Sequence, residues 1–418
     1  MRARTLSTLA ITLFMWSLDV GAIARAQSGF EAPPVLKASD LAPPTMLNGP
    51  RFTVDERVQI ANLLPRFVVR SDFGVFEAHG RDMLGVRVIE VGALEQLEKT
   101  SKTEEFLRAA GTAAARPVRA AANMVMNPVE TVKGAPAAIG RFFDRVELGA
   151  KSIAGASKTE GTTADKTAAV TKRVGGVTAD VLGYEQERRA LAKRLGVDPY
   201  TTNHVLSEKM NDLAWVAFSG RVGLNTVVAV VVPFSMAISA TSITNDMVWD
   251  MKPADLLNLD EQKLKDMGIP QDRATALLHN QWYSITALTS LVNSLETLKG
   301  AEGRDQVVAF AAAAATEDRA RLIVAAAEML ARYHTTVAPI AQVSAPGPIV
   351  ARTKSGAMIV PAPLDYVPWT EVVAKFALRP DLKMKDRTVW LTGTLTPRAR
   401  QEFAAAGWTV LENSTTGR

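Results

Sequence analysis

The sequence predicts a mainly α-helical protein with small β elements, an α+β fold. From about 183 to 334, apolar residues recur at helical spacing in one segment after another. Short runs of β-favouring residues precede this region, and a strand–helix–strand pattern follows it near the carboxyl end. We therefore expect a helical central domain, with an N-terminal β-hairpin on one side and a small C-terminal α/β unit on the other.

The first residues, 1–26, have the layout of a secretory signal peptide. Arg2 and Arg4 make the start positive, an apolar core follows over 6–18, and a small-x-small cleavage site precedes Gln27. The apolar core is too short to span a bilayer comfortably, so we expect cleavage rather than a retained anchor. The pattern predicts an exported protein, periplasmic or secreted, with association to a membrane surface left open.

Composition narrows the classes of partner. The chain has no cysteine, so we expect neither a disulfide framework nor a lipidated cysteine, and stability must come from a buried core. The formal net charge is +5; three arginines and one aspartate of the signal peptide carry +2 of it, which leaves +3 for the mature chain. So small a charge does not indicate a nucleic-acid partner.

Two regions are expected between the signal peptide and the basic segment described next. The stretch 27–50 is rich in proline and small residues, which indicates an exposed tether. An α+β region is expected over 51–150, where β-favouring residues around a turn at 71–74 predict a hairpin from Phe67 to Ala78. A helix-rich stretch should follow, because apolar residues recur at helical spacing: Leu84, Val88, Val91 and Leu94.

Positive charge is concentrated in 107–158, where eight basic residues face three acidic ones for a net charge of +5. A short helix is predicted over 137–148, with apolar residues on one side and arginines on another. This division is expected of a helix that lies at an anionic membrane surface. Alternatively, the aromatic pair Phe142 and Phe143 would pack the helix against the preceding region. The candidate contacts with an anionic surface are Lys133, Arg141, Phe142, Phe143, Arg145 and Lys151.

The second half of the chain is predicted to be helical. The segment 151–180 is small, polar and without an apolar stripe, which indicates a flexible linker. A helical domain is expected over 181–345, with Thr316 as the cap of its last helix. Within it, the uncharged segment 222–245 is a candidate membrane span and suits the buried core of the domain as well, so both interpretations stay open.

A polar corner interrupts the helical region at LGVDPYTTNHV, residues 195–205. Asp198-Pro199 starts a turn, and Asn203 or one of the neighbouring threonines, Thr201 and Thr202, is expected to cap the helix that follows. We therefore predict that the corner is structural. The alternative is a binding or catalytic site formed by Asp198, Tyr200, Asn203 and His204.

The last region, 346–418, is expected to be the small α/β unit. A hairpin is predicted to turn at 354–356, and a helix is predicted over 369–378. A strand, a helix and a second strand should follow, with Thr396-Pro397 starting the helix and Gly407 ending it.

Two resemblances to known families are found. The stretch LLNLDEQKLKDMGI at 256–269 is similar to the end of a sterile alpha motif domain, a five-helix interaction module. The stretches LGVDPYTTNHVL, NQWYSITALTSLVNSLETL and VWLTGTLTPRARQEFAAAGW, with the signal peptide and NPVETVKG, look like exported proteobacterial proteins of a family without an assigned activity. That resemblance implies no functional residue. His204 departs from it, because a proline is expected there.

No sequence motif for a metal, a cofactor or an activated nucleophile is found, and the four histidines are scattered singly. We therefore expect an exported, envelope-associated binding or structural protein that is not an enzyme and holds no cofactor. Its expected partner is an anionic membrane surface or an envelope protein. The alternatives are an exported hydrolase with a site near 198–204 and a secreted pore-forming protein that uses residues 222–240 of the uncharged segment.

Overall fold

The computed structural model describes residues 29–103, 107, 183–218 and 242–414, and these residues form a mixed α+β fold. The predicted signal peptide, the basic helix, the linker and most of the uncharged segment lie outside the described residues. What the sequence predicts for those parts stays a prediction.

An antiparallel sheet opens the described chain. Its longest strand, the fifth, pairs with the third, fourth and sixth strands, and the first and second strands extend the sheet at its two ends. The strands are β1 (Val35–Lys37), β2 (Asn48–Gly49), β3 (Phe52–Val54), β4 (Arg57–Ala61), β5 (Leu64–Ser71) and β6 (Gly74–His79).

The predicted hairpin between Phe67 and Ala78 is confirmed as the β5–β6 pair, in which Ser71 lies opposite Gly74. The Oγ of Ser71 donates a hydrogen bond to the carbonyl oxygen of Gly74 (2.8 Å) and accepts one from the backbone N–H of Phe73 (3.2 Å). A serine that satisfies the turn's own backbone groups explains why the chain reverses at this point.

The prediction of an exposed tether over 27–50 is wrong for its described part. From residue 35 onward this stretch supplies β1, β2 and two short helices, α1 (Ala38–Leu41) and α2 (Pro44–Leu47). Ala38 and Met46 are buried in the core beneath the sheet. The prolines misled the prediction because one of them stands at the first turn of α2, where a missing N–H costs nothing.

The helix α3 (Arg81–Ser101) follows the sheet directly and contributes to two hydrophobic cores. Leu84 and Val91 pack beneath the sheet, whereas Leu94 packs against α4 (183–195) and α5 (His204–Phe218). The helix predicted from Leu84 onward is therefore confirmed, and it ties the sheet to the helices that follow.

The described residues from 204 to 336 are mainly helical, as predicted, whereas Ile340–Ser344, at the end of the predicted helical domain, form a strand. Thr316 caps the last of these helices, because its side chain accepts a hydrogen bond from the backbone N–H of Arg319 (3.2 Å). None of the helices in the described ranges is long and apolar enough to cross a membrane. The helices are α6 (Ser242–Asp250), α7 (Pro253–Asp266), α8 (Gln271–Leu278), α9 (Ile285–Thr297), α10 (Arg304–Ala312) and α11 (Glu317–Thr336).

A second, five-stranded sheet ends the described chain. The elements of this part are β7 (Ile340–Ser344), β8 (Val350–Thr353), β9 (Met358–Ala362), β10 (Tyr366–Val367), α12 (Glu371–Ala377), β11 (Arg387–Leu391), β12 (Thr394–Leu395), α13 (Pro397–Ala405) and β13 (Thr409–Leu411). The sheet has the order β13-β11-β9-β8-β7, in which β9, β11 and β13 run parallel and β7, β8 and β9 are antiparallel neighbours. One hydrophobic core is continuous from α7–α11 into this sheet.

The local predictions for this part are confirmed. β8 and β9 form the hairpin that turns at 354–356, and α12 occupies the helix predicted over 369–378. Thr396 caps α13, with Pro397 at its first turn, and Gly407 takes the left-handed backbone conformation after its end (φ 81°). Each of these predictions depends on residues that are close together in the sequence, and the tertiary structure agrees with all of them.

Candidate functional site

A cavity of about 220 Å³ lies where the first sheet, the central helices and the loops of the second sheet meet. Its walls come from β6 and the start of α3, the corner at 196–202, the first turns of α9, one face of α11 and the loops after β9 and β11. Six hydroxyl-bearing residues line it, as do His79, Arg81 and Arg321. Its six carboxyl groups belong to Asp82, Glu90, Asp198, Asp318, Glu328 and Asp365.

Asp198 is held in the cavity wall through one of its two carboxyl oxygens. Oδ1 accepts hydrogen bonds from the backbone N–H of Tyr200 (2.8 Å) and from Oγ1 of Thr286 in α9 (2.6 Å). Oδ2 makes no hydrogen bond with any residue that the structure describes. Burial raises the pKa of this carboxyl above its ordinary value, because the charged form loses its water.

Glu328 comes from the middle of α11 and is almost fully buried, with 7% of its surface exposed. The hydroxyl of Ser290 in α9 donates a hydrogen bond to Oε1, and Oε2 has no hydrogen-bond partner among the described residues. Burial raises the pKa of Glu328 to about 7. This carboxyl is therefore close to half-protonated at neutral pH.

Asp365 follows β9 and closes the third side of the cavity. Its Oδ2 accepts a hydrogen bond from the backbone N–H of Arg81, the first residue of α3 (2.8 Å). Its Oδ1 makes no hydrogen bond within the described part of the chain; the nearest cation is the Nε of Arg81 at 3.9 Å. Burial raises the pKa of Asp365.

These three carboxyl groups share one arrangement. Each has one oxygen fixed by the protein and one without a hydrogen bond inside the described chain, and we call the latter the open oxygens. They belong to Asp198 (Oδ2), Glu328 (Oε2) and Asp365 (Oδ1). Because the fixed oxygens hold the side chains in place, the open oxygens can accept hydrogen bonds from a molecule that enters the cavity.

His79 and Asp318 form an ion pair at the edge of the cavity. Nδ1 of His79, at the end of β6, lies 2.5 Å from Oδ2 of Asp318, in the first turn of α11. This hydrogen bond raises the pKa of His79 above its ordinary value, against the effect of burial. The pair therefore connects the first sheet to the central helices most strongly when His79 is protonated.

A buried polar network stands behind the cavity and holds the corner at 198–204. The carboxylate of Glu90 in α3 accepts from Nη1 of Arg87 (2.6 Å), from Nδ2 of Asn203 (3.0 Å) and from the hydroxyl of Thr201. On the other side, Oγ1 of Thr202 donates to Glu317 at the start of α11 (2.9 Å). The corner is thus fixed between α3 and α11.

The structure separates the four residues predicted for the corner. Asp198 alone among them lines the cavity, and Tyr200 is buried in a small apolar cluster. Asn203 caps α5, because its Oδ1 accepts a hydrogen bond from the backbone N–H of Leu206 (3.2 Å). His204 is half-buried, and burial, followed by the charge of Arg87, lowers its pKa. The capping role predicted for Asn203 is confirmed.

The other candidate contacts, with an anionic surface, lie outside the described residues. They are Lys133, Arg141, Phe142, Phe143, Arg145 and Lys151, and their role stays a prediction from the sequence.

Sequence reasoning missed Glu328, Asp365 and His79 as cavity residues. The signal that could have found Glu328 is its place in VAAAEML, where a single acidic residue interrupts the apolar stripe of α11. Asp365 and His79 carry no comparable signal, because each reaches the cavity only through contacts between elements far apart in the chain.

No group of three or more potential ligand side chains within the described ranges has an arrangement that could hold a metal ion. Comparison with known proteins gives no match: no family model matches the chain, and no curated protein or solved structure is significantly similar to it. The similarities to a sterile alpha motif domain and to an exported proteobacterial family therefore receive no support.

Proposed function

We propose that this chain is an exported binding protein, not an enzyme, and that it holds a small polar molecule in the acidic cavity. The observation that carries the proposal is that three carboxyl groups from separate elements line one cavity, each with one fixed and one open oxygen. Fixed acceptors around an existing cavity lower the cost of ordering the site when a ligand arrives.

The position of the cavity supports the same proposal. We propose that the described chain has three units: the first sheet with α3, the helices from 183 to 336, and the second sheet with its two helices. All three contribute walls to the cavity. Ligand sites are common at such junctions, where side chains from different units converge on one space.

Export is the second part of the proposal, and it rests on the sequence alone. A positive start, a short apolar core and a small-x-small cleavage site support secretion to the periplasm or beyond. The basic segment 107–158 supports association with an anionic membrane surface or an envelope protein. A binding protein of the envelope would combine both features.

The test of the binding function is a thermal-shift survey of the mature protein with small cationic, neutral and anionic metabolites. We expect at least one class to raise Tm, because a ligand that binds only the folded state stabilises it. Ala325→Phe, which fills the cavity from α11, should abolish the shift. Ala404→Phe, on the exposed face of α13, is the matched control and should keep it.

Two results would contradict the proposal. One is a survey in which no compound of any class changes Tm. The other is a set of shifts that Ala325→Phe leaves unchanged, because the compounds would then bind elsewhere.

A hydrolase is the second candidate, and one observation favours it. Glu328, with a pKa of about 7, shares the cavity with Asp198, which is fixed by two hydrogen bonds on Oδ1. A proton-carrying carboxyl in the same cavity as a second carboxyl is a combination that general acid and base catalysis can use. Turnover of chromogenic glycosides or esters that disappears in Glu328→Gln would support this function, and the absence of turnover would remove it.

A further inference from the structure

The charges that line the cavity are not balanced by the protein itself. Some of its ionised groups are already paired with a partner of opposite sign. These pairs are His79 with Asp318, Arg87 with Glu90, and Arg321 with Glu317. Asp198, Glu328 and Asp365 remain, together with the exposed Asp82. The nearest cation to any of the open oxygens within the described chain is Arg81, at 3.9 Å from Asp365.

Glu328 supplies an independent observation that points to a ligand. Only 7% of its surface is exposed, and it lines the cavity. Its Oε2 has no hydrogen-bond partner in the described part of the protein. A carboxylate oxygen that faces a cavity and has no donor in the protein accepts its hydrogen bonds from whatever occupies that space, water or ligand. A ligand with donor groups can therefore bind to this oxygen in place of water.

The chemistry of the walls selects the class of molecule that would supply it. The open oxygens accept hydrogen bonds and carry negative charge when ionised, and Oγ1 of Thr286, whose proton is donated to Asp198, can accept as well. An anion would be repelled by the carboxyl groups of this cavity that are ionised. A neutral polyol would satisfy the acceptors but would leave the charges unbalanced.

We propose that the ligand of this cavity is a small organic cation carrying ammonium or guanidinium groups, bound through the open oxygens of Asp198, Glu328 and Asp365. This inference rests on the binding function proposed above and names its ligand class. The volume of about 220 Å³ is below the range of about 300–1,000 Å³ typical of drug-sized ligands, so the cation is small, of the size of a short diamine.

The ionisation behaviour of Glu328 agrees with this proposal. Burial raises its pKa to about 7, while Arg332 lowers the pKa and Asp82 raises it. A cation beside the carboxyl favours its charged form, so binding should release a proton near neutral pH. Affinity for the cation should therefore increase from about pH 6 to about pH 8.

The experiment is calorimetric titration of the full mature protein with four probes that differ in charge. Putrescine and agmatine carry the proposed cationic groups, and butanediol and succinate of the same chain length are the neutral and anionic counterparts. We expect putrescine or agmatine to bind at least tenfold more tightly than butanediol at about pH 8, and succinate not to bind. This comparison needs no variant and is unaffected by folding defects.

Variants connect the binding to the open oxygens. Glu328→Gln and Asp365→Asn should each weaken the binding of the cation at least tenfold. Glu371→Gln removes an exposed carboxylate that pairs with Lys375, outside the cavity, and should leave the affinity unchanged. Circular dichroism should show that each variant keeps its helices.

The outcomes separate this inference from the function on which it rests. If butanediol, succinate or another non-cationic compound of the survey binds more tightly than putrescine and agmatine, the proposed ligand class is wrong and the proposed binding function stands. Cation binding that both cavity variants leave unchanged would overturn the site. If no compound of any charge binds, both proposals are wrong.

Discussion

The backbone N–H of Arg81 donates a hydrogen bond to Oδ2 of Asp365, 284 residues further along the chain (2.8 Å). Arg81 is the first residue of α3, so this carboxylate accepts from an amide that has no partner within the helix. A carboxylate at this end of a helix is also favoured by the helix dipole. One contact thus joins the first sheet and its helix to the second sheet and orients a wall of the cavity.

The first prediction follows from that contact. Asp365→Ala should lower the free energy of unfolding by about 1–2 kcal/mol, because α3 loses the acceptor at its first turn. Urea denaturation followed by circular dichroism measures it. Asp386→Ala, an exposed residue before β11, is the control and should stay within about 0.5 kcal/mol of the parent protein. Equal stability of the two variants would contradict the role given to Asp365.

A second prediction concerns the loop that positions Asp365. Gly393 packs so closely that an added Cβ would lie 1.8 Å from the carbonyl oxygen of Asp365 and 2.5 Å from its Cα. Gly393→Ala must therefore displace backbone, and we expect lower Tm together with weaker ligand binding. Gly29→Ala, where a Cβ meets nothing within 4 Å, should change neither. Normal Tm and binding in Gly393→Ala would show that the loop does not depend on this contact.

The third prediction separates the two roles of Asn203. Asn203→Ala loses the helix cap and the donor to Glu90, and it should cost about 2 kcal/mol. Asn203→Ser keeps a capping oxygen and loses only the donor, so we expect it to recover part of this stability. Chemical denaturation measures both. If serine and alanine destabilise equally, the cap contributes nothing and the bond to Glu90 carries the whole effect.

These residues also show how far sequence reasoning reaches. The caps at Asn203, Thr316 and Thr396 could be predicted, because a cap depends on residue types within three positions of each other. The sheet strands within 27–50 could not be predicted, since β1 is stabilised by pairing with β4, about twenty residues away. The prediction of an exposed tether over 27–50 depended on composition alone, which contains no information about this pairing.

The candidate site was less predictable than the fold. Asp198 attracted attention because it lies in a cluster of turn-forming residues, and it does line the cavity. Its neighbour His204 is also a residue type that often has a chemical role, yet His204 does not line the cavity. Glu328 and Asp365 line the same cavity as Asp198 only through the packing of α11 and the second sheet, and no local pattern in the sequence encodes that packing.

The fourth prediction concerns the basic segment, where the sequence alone indicates a partner. The mature protein should bind vesicles that contain anionic lipid, and less so as ionic strength rises, because salt screens the attraction. Changing Arg141 and Arg145 together to Glu should weaken the binding, whereas Arg398→Glu, on α13, should not. Equal binding to neutral and anionic vesicles, or none to either, would leave a protein partner in place of the membrane.

The last prediction is the pH dependence that Glu328 gives to stability. Its pKa rises from an ordinary 4.5 to about 7 in the folded protein, so the folded state holds the proton more tightly than the unfolded chain does. The stabilising contribution is therefore complete below about pH 4.5 and is lost as the pH rises to about 7. By linkage the loss is about 3 kcal/mol.

Glu328→Gln cannot ionise, so its free energy of unfolding should fall less between about pH 5 and pH 8 than that of the parent protein. Asp198, Asp365 and His79 also have raised pKa values and contribute in the same direction, but they are present in both proteins and cancel in the comparison. Glu371→Gln should keep the full dependence of the parent over this range, because Lys375 lowers the pKa of Glu371 and its titration lies below about pH 5. Urea denaturation across this range measures the difference, and parallel curves for the parent and Glu328→Gln would show that Glu328 is ionised at neutral pH.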